Sequence, residues 1–332
     1  NAEYMQLFRK HGKVIHPATP CIKVSKDNID NVVAGCRQQI EAPKKALTVA
    51  IYNNKGGVGK TTTTVNLAAV LKLAKKTVLI VDFDPNQQDL TSALGMKLSP
   101  GQFYRALSDR NFDIKDVIST YSISSNGKNI DCFDVIAADE KLAYEVSEVA
   151  LRQELSIRRL KQILDSLKYD YDYILIDSPP NWRFFSQSAI YASDVVLMPT
   201  KHNNIFSLEN AAVAITKFIS EAKKQRQIAN SLDYGPIPLP IFWNGENVSP
   251  HQKEIAHKAI ENIIKQFKKE EKIDLTPYFY PKFVSSKRHR EIFELRNYAN
   301  IAKAAFYQLP AAYTNKTAQS YYKDLAKEYF LQ

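Results

Sequence analysis

Three of the ten glycines in this 332-residue chain fall together in Gly56-Gly57-Val58-Gly59, and Lys60, Thr61 and Thr62 follow directly. Glycine reaches the positive φ angles that turn successive backbone N–H groups to one side, and a helix N-terminus behind such a loop adds partial positive charge. Together they form an anion cradle, with residues 56–62 as its phosphate-contacting surface. Lys60 supplies a cation for β- and γ-phosphates, and the Thr61 hydroxyl is suited to ligate Mg²⁺. Two runs bring carboxylates toward the same place. Val78-Leu79-Ile80-Val81-Asp82-Phe83-Asp84-Pro85 ends in an acidic pair, and Tyr173-Ile174-Leu175-Ile176-Asp177 is followed by Ser178-Pro179-Pro180. Carboxylates at strand C-termini beside a phosphate site suit contacts to metal-bound water and orientation of an attacking water.

These residues need a scaffold that delivers strand ends to one edge. After residue 46, short strand-like runs alternate with longer helical ones. Strands are expected at 46–52, 77–83, 132–136, 173–177, 194–199 and 237–243. Helices are expected near 60–74, 100–109, 139–149, 152–167, 183–192, 205–225 and 250–270. Strands separated by helices require crossover connections and a mostly parallel sheet covered on both faces, a doubly wound α/β domain over residues 47–332. Ser99 before Pro100 and Ser249 before Pro250 read as helix N-caps with proline in the first turn. Residues 1–46 stand apart as an extension: a hairpin over 12–25 broken by Pro17 and Pro20, a helix over 26–41, and a Pro43-Lys44-Lys45 linker. No initiator Met is present, so a truncation upstream is expected.

Composition bounds the function. Apolar residues make up 45% and charged residues 24%, which fits a chain that buries a sizeable core. No apolar run approaches the roughly 20 residues that span a bilayer, and the N-terminus lacks a signal pattern, which argues for a cytoplasmic protein. Cys21, Cys36 and Cys132 lack metal or disulfide spacing and read as reduced thiols. His289 has no partner at ligand spacing. The net charge of +10 sits at the ends: 8 basic against 4 acidic residues in 1–46, 17 against 18 in 47–200, and 20 against 13 in 201–332. A basic surface attracts nucleic acid or anionic lipid, although a lysine-rich coat is the plainer reading.

Lys55-Gly56-Gly57-Val58-Gly59-Lys60-Thr61-Thr62 departs from the usual phosphate loop at its first position, which is Asn54, and resembles the deviant Walker A motif of the ParA/MinD ATPase family. Val78–Pro85 resembles that family's D-x-D-P strand, and Tyr171–Pro180 its Walker B strand and second switch. Asp194–Pro199 and Ser207-Leu208-Glu209-Asn210 are similar to the next strand and helix. Asn86-Gln87-Gln88-Asp89-Leu90-Thr91 is one residue longer than the family's Q-G-N-x-T. The resemblance implies a P-loop NTPase fold, ATP and Mg²⁺ as cofactors, and weak ATP hydrolysis. It gives Lys55 a role in reaching the partner's nucleotide across an ATP-bound homodimer. From the residues alone, Lys55 is a solvated cation near phosphate. By the same resemblance Asp84 serves hydrolysis, and Asp82 and Asp177 hold the water around Mg²⁺ beside Thr61. Asn244 either hydrogen-bonds adenine or starts the Asn244-Gly245 turn.

The resemblance also implies a ParA-type partition protein that binds DNA without sequence preference on the nucleoid. A ParB-like or adaptor partner would release it by stimulating hydrolysis. Lys265, Lys268, Lys269, Lys287, Arg288 and Arg290 are the expected phosphate contacts. Cations at a helix C-terminus also favour the dipole, the plainer reading of 265–272. The 287–290 cluster is expected to open a helix, where cations oppose the dipole. The alternative is a MinD-like membrane-positioning ATPase, with residues 319–330 as an amphipathic anchor. The mixed charge of that segment's polar face favours docking on the domain's own core instead.

Overall fold

The computed structural model describes residues 45–125, 128–145, 155–281 and 291–331, so the expectations for residues 1–44, including Cys21 and Cys36, lie outside the described residues. The strands are β1 (Leu47–Ile51), β2 (Val78–Asp82), β3 (Ile118–Ser125), β4 (Lys128–Ile136), β5 (Tyr173–Asp177), β6 (Val195–Leu197), β7 (Pro199–Thr200), β8 (Ile237–Pro238), β9 (Phe242–Asn244) and β10 (Glu294–Leu295). Seven of them form one sheet in the order β3-β4-β2-β5-β1-β6-β8. All its pairings are parallel except β3 with β4. The helices that matter below are α1 (Lys60–Leu73), α2 (Asp89–Ala93), α3 (Gln102–Ser108), α4 (Arg159–Ser166), α5 (Phe184–Ala192), α6 (Ile205–Val213), α7 (Ile219–Ala229), α8 (Pro250–Glu270) and, near the C-terminus, α9 (Lys316–Tyr329).

Strand periodicity sorts the core. In β1, Leu47, Val49 and Ile51 pack with α1 and α9, while Ala50, with Tyr52 just after the strand, packs with α5, α6 and α8. Leu79, Val81, Ile174 and Ile176 join α3, α4 and α5 on the second face. Helices therefore cover both faces, which the central strands β1, β2 and β5 require because each is buried along its whole length.

Several expectations change in detail. The edge strand β3 is not among the expected strands. Its polar sequence is held by cross-strand bonds from Thr120 Oγ1 to Asp134 and from Ser122 Oγ to Asp131, both 2.7 Å. The strand expected over 237–243 is divided: β8 completes the main sheet, and β9 leaves it to join β7 and β10 in a second sheet. Ser249 does cap α8 in a reciprocal capping box with Gln252, with proline in the first turn. The N-cap of α3 is Gly101 at φ 92°, not Ser99, although the Ser99 hydroxyl accepts from the backbone N–H of Phe103 in its first turn (3.2 Å). Asp139 shares this role, accepting from the backbone N–H groups of Phe103 (2.9 Å) and Tyr104 (3.2 Å) and from the Ser99 hydroxyl (2.8 Å). The helix expected over 205–225 runs on to Ala229 through a wider π-type turn at Ala214–Phe218.

The C-terminal helix α9 docks on the core. Ala318, Tyr322, Leu325, Ala326 and Tyr329 are buried along one stripe. The Tyr329 hydroxyl donates to the carbonyls of Pro240 (3.1 Å) and Ile241 (3.3 Å), and Tyr173 donates to that of Phe330 (3.2 Å). Among the described residues no helix is long and apolar enough to cross a membrane.

Candidate active site

β1 ends at Ile51, and the chain turns through residues 52–59 into α1. Gly57 and Gly59 adopt φ 74° and 85°, the left-handed region that glycine enters without a Cβ penalty. Gly59 is the N-cap of α1 and makes no side-chain cap bond, so the first N–H groups of that helix remain directed at the loop. The loop is pinned at both ends by residues distant in sequence. Asn210 Nδ2 on α6 donates to the carbonyl of Asn54 (3.1 Å), and Asn244 Nδ2 on β9 donates to that of Val58 (2.7 Å). Asn53 anchors its entry by donating to the carbonyls of Pro199 (2.9 Å) and Ser207 (3.0 Å). Asn244 thus lies on the phosphate loop itself. A Cβ on Gly59 would fall 2.2 Å from its Nδ2, so the two residues share one space.

Lys60 is buried, and its Nζ donates to the carbonyl of Lys55 (3.3 Å) across the loop. Burial pulls its pKa down, against the carboxylates of Asp177, Asp84 and Asp89, which raise it. The Lys55 side chain is half-buried. Thr61 Oγ1 donates to Asp177 Oδ2 at 2.6 Å, which joins the first turn of α1 to the end of β5.

The acidic residues crowd the same edge, since β2 and β5 are neighbours in register with Asp82 opposite Asp177. Burial first, then the charge of Asp82, pushes the Asp177 carboxyl far above its ordinary range. Asp82 is pushed up to about 6 by burial, against the hydrogen bonds it accepts. Those bonds come from Thr91 N (2.8 Å) and Thr91 Oγ1 (2.7 Å), with Asp84 N at 3.3 Å. Asp84 accepts from Gln87 N (3.3 Å), and burial raises its pKa as well. The segment that is one residue longer than its family pattern forms a turn closed by Gln88 N on the Asp84 carbonyl (2.9 Å), with Gln88 at φ 53° before α2 begins.

These donors fit a divalent cation. Asp177 Oδ1 is buried without a hydrogen-bond partner, and Thr61, by donating its proton to Oδ2, leaves its oxygen lone pairs free. A hydroxyl plus one carboxylate acting through water, with phosphates supplying the rest, is the sparse protein set Mg²⁺ accepts. The structure therefore brings Lys55, Lys60, Thr61, Asp82, Asp84 and Asp177 to one edge. The sequence singles out Thr91 only within its motif and does not single out Asn53. Asn53 follows β1 in a buried position, but its partners lie about 150 residues away.

The expected DNA contacts are placed less completely. Lys265, Lys268 and Lys269 are exposed on the C-terminal half of α8, with no ion pair among the described residues. Lys287, Arg288 and Arg290 lie outside the described residues. The helix expected to open there falls on those residues; of the described residues that follow, 291–293 are neither helix nor strand and Glu294–Leu295 form β10, paired with β9.

A parallel sheet carrying a glycine loop, a lysine at the start of the following helix and strand-end carboxylates defines a P-loop nucleotide-binding protein. Residues 46–233 match the family model described as an AAA domain. The chain is 33% identical over 225 residues to the chromosome partitioning protein ParA of Myxococcus xanthus, covering 67% of this chain and 72% of that one. It is 40% identical over 156 residues to the sporulation initiation inhibitor protein Soj of Bacillus subtilis, covering 46% of this chain and 57% of that one. The chain belongs to the ParA/MinD family. It spans a little over half the length of the first curated relatives it matches. The fold is shared with an ATP complex of a Cyanothece McdA variant, at TM-score 0.60 and 18% identity over 85% of this chain and 96% of that one. It is also shared with pNOB8 ParA bound to nonspecific DNA, at TM-score 0.51 and 20% identity over 85% of this chain and 97% of that one.

Proposed function

We propose that this protein is a ParA-type partition ATPase. The observation that carries the reading is the 2.6 Å bond between Thr61 and Asp177, with the free Asp177 Oδ1 beside it and Lys60 reaching across the loop. In this reading the cradle of residues 55–62 holds ATP, and Thr61 with Asp177 and Asp82 holds the Mg²⁺ and its waters. Mg²⁺ offsets the negative charge of the phosphates. Lys60 neutralises charge that develops on the transferred phosphoryl group, and Asp84 orients the attacking water. Lys55 reaches the nucleotide of a second subunit, so ATP joins two copies of the chain. The dimer binds DNA without sequence preference through Lys265, Lys268 and Lys269 together with Lys287, Arg288 and Arg290. A ParB-like or adaptor protein stimulates hydrolysis and releases it, moving a plasmid, chromosome or protein cargo. That pNOB8 ParA was captured on nonspecific DNA supports the DNA arm of this reading. The MinD-like membrane alternative loses support because the apolar stripe of α9 is spent on the core.

The test is a pair of variants. Lys60→Ala should abolish ATP binding, because it removes the main cation facing the phosphates. Asp84→Ala should retain binding, lose hydrolysis and accumulate as a dimer. Equal nucleotide affinity in Lys60→Ala and the parent protein would overturn the assignment.

A further inference from the structure

A cleft of about 340 Å³ opens between the C-terminal end of α3 and the N-terminal turn of α4. Arg110, Arg158 and Arg159 line it with Ser108 and Ser156, and among the described residues no acidic side chain lines it. This concentration of charge is local, because residues 47–200 carry one more acidic than basic side chain. It is also held in place. Arg159 Nη2 donates to the carbonyls of Ala106 and Asp109, both 2.9 Å, and its Nε to that of Ala106 at 3.2 Å. Neutral carbonyls orient the guanidinium without cancelling its charge. The nearby Asp109 carboxylate is 3.8 Å from Arg105, outside the lining. Burial disfavours the charged form of Arg159, repulsion from Arg110 works in the same direction, and the Asp109 carboxylate opposes both. The first turn of α4 carries no acidic residue to meet its dipole, and Ser156 Oγ accepts from Arg158 N (3.2 Å) at its entrance.

Three guanidinium groups around one cleft, with Arg159 held in place, outweigh the single carboxylate of Asp109 and favour an anion placed between them. Planar guanidinium groups match phosphate oxygens in pairs, and serine hydroxyls add donors. Every described lining residue but Leu107 is polar, so the cleft favours a charged head group. We propose that this cleft binds a phosphate group, at a site separate from the phosphate loop. The phosphate comes either from a nucleic-acid backbone or from a free phosphomonoester.

The experiment uses the full chain with the phosphate loop filled by Mg-ADP, repeated on Lys60→Ala without nucleotide. A failed nucleotide reading is then distinguishable from a failed cleft. Thermal midpoints are measured against inorganic phosphate and against chloride at equal ionic strength, for the parent protein and for Arg110→Ala/Arg158→Ala. These two exposed arginines are chosen because Arg159 also ties α3 to α4. In a second arm, affinity for a DNA duplex is measured across salt concentrations. A phosphate-specific rise in midpoint that the double variant loses, with an unchanged salt slope, assigns the cleft to free phosphate. A salt slope lower by about 2 in the double variant, one for each lost phosphate contact, assigns it to the DNA backbone. If the double variant matches the parent protein in both arms, the proposal is overturned.

Discussion

Replacing Gly59 by alanine tests how the phosphate loop is held. Two costs are separable. Gly59 sits at φ 85°, where an added Cβ costs about 1–2 kcal/mol whatever surrounds it. The same Cβ would lie 2.2 Å from Asn244 Nδ2, so Asn244 must turn away and give up its 2.7 Å bond to the Val58 carbonyl. Losing that bond adds about 1 kcal/mol. Gly59→Ala alone should therefore destabilise the protein by about 2–3 kcal/mol, and Asn244→Ala alone by about 1. In the double variant the second cost is not incurred twice, so the two changes should fall short of additivity by about 1 kcal/mol. Urea unfolding of the four proteins gives this coupling directly, and binding of a fluorescent ATP analogue shows whether the loop still accepts phosphate. Additivity to within a few tenths of a kcal/mol would refute the contact. If Asn244→Ala instead weakened ATP far more than a triphosphate lacking adenine, Asn244 would be a base contact as well as a latch.

Further outcomes follow from other sites. Lys55→Ala should bind nucleotide but fail to dimerise with ATP, read by light scattering; an unchanged dimer would confine Lys55 to its own subunit. Replacing Lys265, Lys268 and Lys269 by alanine should lower the slope of log affinity against log salt for any DNA sequence by up to about 3 per subunit, with basal ATPase retained. His202 is buried, stacked on Trp243 at 3.9 Å, and burial lowers its pKa from the ordinary 6.5. Lys253 and His257 lower it too, against Glu294 and Glu246. Because the unfolded chain takes up that proton first, this contribution is complete above pH 6.5 and is lost as pH falls below it. His202→Phe, which keeps an aromatic ring against Trp243, should flatten the acid side of the stability profile. An identical pH profile in the variant would show that another group is responsible.

The parts of the site that are legible in the sequence are those whose chemistry is contiguous. A glycine loop, its lysine and its threonine occupy one stretch of chain, and Asp82 and Asp177 announce themselves by ending apolar strands. What is not legible depends on partners far along the chain. Asp139 shares the capping role expected of Ser99 because the chain after β4 brings it to the start of α3, and nothing in residues 98–103 records that. β3 alternates weakly and is rich in serine and threonine; only the opposing Asp131 and Asp134 make its polar face productive. The division between β8 and β9 is foreshadowed by Pro238 and Pro240, neither of which can donate to a ladder, but the sequence does not say that the chain would then join a second sheet. Asn244 carries two readings in the sequence because its side-chain partner, the Val58 carbonyl, lies 186 residues earlier.

The same long-range contacts give the site its mechanical logic. α6 reaches the phosphate loop through Asn210, and the helical stretch it begins carries Phe218 at the π-type turn. Phe218 stacks on Trp182 at 4.1 Å, and Tyr52, next to the loop, donates its hydroxyl to the Asn181 carbonyl at 3.2 Å. Ser178 ties the start of that segment to the Ile51 carbonyl at 2.6 Å, and the preceding residue is Asp177, already bonded to Thr61. Loop, β5 end, Trp182 and α6 therefore close a ring of direct contacts. A shift of Asp177 toward a phosphate-bound cation would have to move residues 178–182 against Phe218 or break a bond in that ring. Turns of the π type recur at functional sites, and this one ends at Phe218, whose ring stacks on Trp182.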